Sequence, residues 1–107
     1  MLEYIVTIHL DPEIAETWQT WMLDVHIPDV LATGCFHEAR LARILEPAAD
    51  DNAPGFEITY LTDSPETYRA YAADHAPALQ ADHGQRYAGR FRASRRLLER
   101  QRVFQSP

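Results

Sequence analysis

The sequence predicts an α+β domain with the element order β-α-β-β-α-β. Segments of alternating polarity at residues 2–10, 56–61 and 90–99 are typical of strands. Two stretches with helical spacing each begin at a proline that follows a capping side chain. The length of 107 residues suits a single domain. We therefore expect one domain over residues 1–99 and a tail at residues 100–107.

The first half of the chain is predicted to be a strand followed by a helix. The strand, Leu2 to Leu10, places on one face Tyr4, Val6, Ile8 and Leu10. The helix begins at Asp11-Pro12-Glu13, where aspartate can cap and proline suits the first helical position. Its apolar stripe consists of Ile14, Trp18, Trp21, Met22 and Val25. Proline disfavours helical geometry in the residue before it, so His26-Ile27-Pro28 is expected to break this helix.

The second half repeats this pattern after two further strands. Cys35 to Leu45 and Phe56 to Leu61 are the predicted second and third strands, separated by an acidic loop at residues 46–55. A second capped proline helix follows at Asp63-Ser64-Pro65-Glu66, and His75-Ala76-Pro77 interrupts it. A helical piece from Pro77 to about residue 88 and a last strand complete the chain. Two echoing β-α-β units predict a ferredoxin-like fold, with a four-stranded antiparallel sheet and both helices on one face.

The helices can cover only one face of such a sheet. The other face, called here the reverse face, is mixed but partly apolar and carries Ile5, Thr7, His9, Glu57, Thr59 and Leu61. A face of this kind is either solvated or packed against a second sheet. The aliphatic side chains favour the second arrangement, so a homodimer is expected.

Longer motifs carry a resemblance to a known family. They are the segment 24–36 (DVHIPDVLATGCF), the segment 75–79 (HAPAL) and the pair Arg90-Phe91. Over residues 3–99 the chain resembles the dimeric α/β-barrel proteins and, within them, a small bacterial family known as a domain of unknown function. The resemblance implies a fold and a dimer and brings no known reaction.

Charge limits the expected partners. The net charge is −6, and fifteen of the sixteen acidic residues precede Arg86, while seven of the ten arginines lie from Arg86 onward. An acidic surface repels phosphates, so no nucleic-acid partner is predicted. No apolar run is long enough for a bilayer and no signal peptide is visible, so no membrane partner is expected. The single cysteine favours a reducing, cytoplasmic compartment.

His26 and His75 are the candidate catalytic residues. A histidine at a helix break can act as an acid, a base or a ligand contact, and it can equally well bond the last free carbonyls of the helix. The topology predicts His26 near Tyr4 and Cys35, and His75 at the opposite end of the sheet. The two histidines are therefore not expected to form one site.

Trp21, Tyr4 and Cys35 are the candidate ligand-binding residues. Trp21 lies one turn before His26 and can line a cleft, and His26 can activate Cys35. Packing in the core is the alternative for both the indole and the thiol. No metal site or cofactor is predicted, because His75 and His83 are too far apart along a helix and no Cys-x-x-Cys or phosphate-binding glycine loop occurs.

Three functions remain open from the sequence. The first is a dimeric protein that binds a small apolar or aromatic ligand between helices and sheet. The second is a cofactor-independent monooxygenase or isomerase that acts on an aromatic substrate. The third is a structural or regulatory dimerisation module. A pocket beside His26 or His75 favours the first two functions. Ends of the fold that are filled by side chains, with no cavity, favour the third.

Overall fold

The computed structural model describes residues 1–107 and contains one four-stranded antiparallel sheet. Its strands are β1 (Leu2–Leu10), β2 (Glu38–Arg43), β3 (Gly55–Thr62) and β4 (Phe91–Glu99). They lie in the order β2-β3-β1-β4, and every neighbouring pair is antiparallel. Two β-α-β units whose first strands lie side by side at the centre define the ferredoxin-like fold. The predicted fold class is confirmed.

Four α-helices connect the strands. They are α1 (Ala15–Trp21), α2 (Ile27–Ala32), α3 (Pro65–Asp74) and α4 (Ala76–Arg86). The Asp11 side chain accepts a hydrogen bond of 2.9 Å from the backbone N–H of Glu13, and Ser64 accepts one of 3.2 Å from Thr67. Both predicted helix starts therefore form as expected from local sequence. None of the helices combines the length and the apolarity that a bilayer crossing demands.

The predicted break at His26-Ile27-Pro28 is wrong. A π-helical turn, Met22–His26, joins α1 to α2, and the backbone N–H of Ile27 donates to the carbonyl of Met22 five residues earlier. In an α-helix the Pro28 ring would clash with the carbonyl four residues before it, and the wider π turn relieves that crowding. The helix therefore continues through the proline.

The π turn also changes which residue faces the sheet. Val25, expected in the apolar stripe, is 40% exposed. The wider turn brings His26 beneath Trp21, with ring centroids 5.0 Å apart. The predicted stripe is correct up to Met22 and wrong by one residue beyond it.

The second interruption does break a helix. His75 lies between α3 and α4 with φ −123° and ψ −41°, outside helical geometry.

Strand β2, by contrast, is shorter than the predicted Cys35 to Leu45. Gly34 has a left-handed φ of 77°, and the Thr33 hydroxyl accepts from the Cys35 N–H at 3.3 Å, so a turn occupies the expected start of the strand.

The helices pack on the face of the sheet that the sequence predicts. Tyr4, Ile8, Ile58 and Tyr60 from this inner face join Trp18 in one buried cluster. The reverse face differs from the expectation in one respect: Ile5 and Leu61 are only 5% and 6% exposed within a single chain. Long charged side chains surround them there, including the pair Arg96–Glu57 at 3.6 Å.

Candidate functional site

A cavity of about 60 Å³ lies between the helices and the inner face of the sheet. We call it the central cavity. Its walls are mostly apolar and include Val6, Ile8, Met22, Val30, Ile58 and Ala93. Its polar lining consists of His26, His83, Gln80, Arg95 and three tyrosines. An apolar pocket with a few convergent polar groups is the usual form of a small-molecule site.

A larger cleft of about 300 Å³ at another place on the surface has a different character. Arg90 binds Asp11 at 2.8 Å, and Arg92 binds Asp51 at 2.8 Å. The pairing with Arg92 lowers the pKa of Asp51 to about 2. Because these charged groups already satisfy one another, the cleft offers a ligand little that the protein does not use itself.

His83 is the most perturbed imidazole of the central cavity. Its side chain is buried on α4, and its Nε2 accepts a hydrogen bond of 2.9 Å from Trp18 Nε1. Burial, with smaller effects from His26 and Arg95, lowers the pKa of His83 to about 4. Indole can only donate, so Nε2 is the acceptor and the proton of the neutral ring lies on Nδ1. The structure thus assigns both the charge and the tautomer of this ring at neutral pH.

His26 faces His83 across the cavity, with ring centroids 5.8 Å apart. Burial lowers the pKa of His26, although Asp82 and Asp29 act in the opposite direction. No protein group forms a hydrogen bond with its ring, which is partly exposed. A neutral imidazole with a free nitrogen lone pair can accept a proton from a bound molecule.

Tyr4 lies at the centre of the aromatic wall of the cavity. Its ring contacts those of Phe36, Tyr60, Tyr68 and Tyr71, at centroid distances of 5.2 to 6.1 Å. Burial raises the pKa of the Tyr4 hydroxyl, while the adjacent side chains of Arg95 and Gln80 counteract the rise. The hydroxyl is therefore neutral at pH 7 and can donate a hydrogen bond.

The candidate residues from the sequence divide between the cavity and its surroundings. His26 and Tyr4 both line the cavity, as the topology predicts for this pair. Trp21 packs behind His26, and its buried Nε1 has no partner. Cys35 is partly buried, and its thiol approaches the carbonyl of Thr33 at 3.9 Å. His75 stacks on Tyr71 at 6.3 Å and does not line the cavity.

Sequence reasoning missed two residues of this site, His83 and Arg95. In the sequence His83 attracts notice only as a possible metal partner of His75, yet it belongs to a helical repeat on the inner side of α4 that consists of Ala76, Leu79, His83 and Tyr87. Arg95 interrupts the inward series Phe91, Ala93 and Leu97 on β4. Both signals are present in the printed sequence. Nowhere do three His, Cys, Asp or Glu side chains converge as metal ligands would.

Fold and cavity together define a protein of the ferredoxin-like α+β class with an internal pocket. Solved structures share this architecture. HapK from Hahella chejuensis has a TM-score of 0.71, with 14% identity over 100% of this chain and 99% of that chain. SnoaB, a cofactor-independent oxygenase from Streptomyces nogalater, has a TM-score of 0.67, with 13% identity over 98% of this chain and 97% of that chain. A dimeric ferredoxin-like protein from an uncultured marine organism has a TM-score of 0.71, with 9% identity over 98% of each chain.

These identities are low, so the likeness shows the fold. The chain itself belongs to the family described as Domain of unknown function (DUF4286), whose model matches residues 1–101. The resemblance to a domain of unknown function is thereby confirmed, and the solved structures confirm the ferredoxin-like fold. No curated protein matches the chain in sequence.

Proposed function

We propose that this protein binds a small aromatic ligand in the central cavity. The observation that carries the proposal is the placement of polar groups on the wall of an otherwise apolar pocket, where His26, Tyr4 and Arg95 face the same space. A cavity that served only packing would be filled by apolar side chains, since voids cost stability. Here a buried tyrosine, a partly buried histidine and an exposed arginine line one pocket, an arrangement that packing alone does not require.

The size of the cavity sets a condition on binding. Its volume of about 60 Å³ is smaller than the roughly 150 Å³ that admits benzene in a dry protein cavity. An aromatic ring therefore enters only when side chains at the mouth rotate. Leu79 is partly buried and Gln80 is exposed, and both line the cavity from α4. We infer that their rotation opens the cavity.

The binding proposal is tested by thermal-shift and calorimetric titration with quinones, haem and aromatic acids. Ala93 lines the cavity on β4, and Ala93→Leu adds about the volume that the cavity offers. We expect at least one aromatic compound to raise the melting temperature of the wild type and not that of Ala93→Leu. Ala72→Leu, the same change on an exposed position of α3, is the matched control and should bind as the wild type does. If no compound shifts the wild type, the structural or regulatory module becomes the better explanation.

A cofactor-independent monooxygenase or isomerase is the second candidate function. The neutral imidazole of His26, with no protein partner, favours it. In such a reaction the His26 ring accepts a proton from an acidic C–H or phenolic O–H of the substrate and leaves a delocalised anion. The monooxygenase then consumes dioxygen as its co-reactant, whereas the isomerase returns the proton to another carbon. SnoaB shares the fold and is described as a cofactor-independent oxygenase.

The two candidates separate at His26. A binding protein with His26→Gln keeps its ligand and shows no turnover in either form. An oxygenase consumes dioxygen with the ligand in the wild type and loses this uptake in His26→Gln while still binding.

A homodimer built through the reverse face is part of the proposal. No helix covers this face, and structural relatives are described as dimeric ferredoxin-like proteins. Leu98, on the same side of β4 as Arg96, is 38% exposed and gives the face an apolar contact point.

The free thiol of Cys35 agrees with a cytoplasmic protein.

A further inference from the structure

Arg95 is the only formally charged side chain that lines the central cavity. On β4 it pairs in register with Val6 of β1, and it follows Phe91 and Ala93 on the inner face of the sheet. An apolar residue would continue this series, since the inner face elsewhere is apolar and aromatic. The strand thus directs a guanidinium toward the pocket where its pattern calls for an aliphatic side chain.

No acidic side chain neutralises Arg95. From Arg86 onward there are seven arginines, and the other six each have a partner in the fold. Four form ion pairs with carboxylates, namely Arg90, Arg92, Arg96 and Arg100. Arg86 and Arg102 lie over the rings of Trp21 and Phe104, at 4.8 and 4.9 Å. Arg95 has neither kind of partner, although the protein carries a net charge of −6.

The groups around Arg95 suit an oxyanion. The Tyr4 hydroxyl lies beside both the guanidinium of Arg95 and the amide of Gln80, and all three groups line the cavity. Its positive charge also lowers the pKa of His83 and opposes the rise in the pKa of Tyr71. With His26 and His83 neutral at pH 7, the cavity holds one positive charge and no negative one. Guanidinium binds carboxylate through two parallel hydrogen bonds, and neutral donors nearby strengthen such a contact.

We propose that the ligand of the central cavity is an aromatic acid, with its ring against the apolar wall and its carboxylate on Arg95. The inference rests on the proposed binding function and deepens it, because it gives the charge of the ligand and the end that faces the mouth. Arg95 is exposed, so the carboxylate stays close to water while the ring is buried. This arrangement avoids the cost of burying the charge completely.

The test compares matched pairs of ligands that differ only in charge. Benzoate and benzamide, and 2-naphthoate and 2-naphthamide, are titrated against the full chain by calorimetry at low and high salt. We expect each acid to bind about tenfold more tightly than its amide, and Arg95→Gln to abolish this difference while amide affinity is kept. Arg96→Gln, a neighbouring arginine on the reverse face, is the matched control and should keep the preference.

The possible failures are distinguishable. If acids and amides bind the wild type equally, the aromatic-acid inference is overturned while the binding function stands. If Arg95→Gln keeps the preference for acids, the anion lies elsewhere and the role of Arg95 is refuted. If neither member of any pair binds at millimolar concentration and the wider ligand screen is also negative, the binding function falls and the inference falls with it.

Discussion

The hydrogen bond from Trp18 to His83 decides the state of an imidazole inside the central cavity. The two residues are 65 positions apart in the chain, and the bond of 2.9 Å is buried. It leaves Nδ1–H as the only donor of the His83 ring. Protonation of His83 at Nε2 would point its N–H at the N–H of Trp18. Two donors would then face each other without an acceptor, and the hydrogen bond would break.

The stability of the protein should therefore depend on the protonation of His83. Its pKa of about 4 in the folded state is below the ordinary value of 6.5, so the unfolded state binds more protons between these values. The contribution of neutral His83 to the free energy of unfolding is fully present above pH 6.5. It decreases as the pH falls towards 4, and the free energy levels off below that. The expected loss is about 1 to 3 kcal/mol. His83→Gln, which still accepts from Trp18, should flatten the slope in urea unfolding measured from pH 7 to pH 4; an unchanged slope would contradict the assignment.

At the scale of elements, the π turn is the feature with the largest effect on the site. It places His26 under Trp21 and moves Val25 outwards. Hydrogen bonds to the fifth residue are rare, and they are frequent at functional sites. The turn therefore converts a proline that would disrupt the helix into a means of presenting His26 to the cavity.

Two valines test this register. Val25 is 40% exposed, whereas Val30 is 1% exposed. We expect Val25→Ala to change the free energy of unfolding by less than about 0.5 kcal/mol. Val30→Ala should cost about 2 kcal/mol, because it removes buried methyl groups and leaves a cavity. Denaturation midpoints in urea measure both; similar losses for the two variants would support an ordinary α-helical register instead.

Local signals in the sequence were sufficient for most elements, and distant contacts were not. Asp11 and Ser64 act within three residues of themselves, so their helix starts follow from sequence alone. The π turn depends on how the helix itself accommodates Pro28, and the local pattern predicts a break there and not a wider turn. The hydrogen bond between Trp18 and His83 depends on contact between two helices that are distant in sequence. No local pattern therefore identifies His83, and His75 is the more prominent candidate in the sequence.

For the whole molecule, the reverse face determines whether the chain acts alone. Ile5 and Leu61 are already covered within one chain, so the driving force for pairing rests on the uncovered sheet and on Leu98. We expect a mass of two chains by light scattering at micromolar concentration. Leu98→Asp should shift the protein to one chain by placing a charge at the contact.

The control for this prediction is Leu45→Asp. Leu45 is 80% exposed and follows the end of β2, so a charge there should leave the dimer intact. A wild type that scatters as one chain at all concentrations would refute the homodimer. It would leave the central cavity untouched, because every residue that lines the cavity comes from one chain.

The composition of β4 has a consequence for how the sheet is aligned. Arg95-Arg96 and Leu97-Leu98 are doublets, so sliding this half of the strand by one position would put Arg96 in place of Arg95 and Leu98 in place of Leu97 on the inner face. On that face only Phe91 and Ala93 distinguish the two alignments by side-chain pattern. Anchors beyond each end settle the matter: the Asp11 N–H donates to the Arg90 carbonyl and the Arg100 N–H to the Met1 carbonyl, each at 2.9 Å. The edge strand that carries Arg95 is thus held at both ends by backbone hydrogen bonds. On the inner face these bonds fix the alignment of β4 more firmly than its side-chain pattern does.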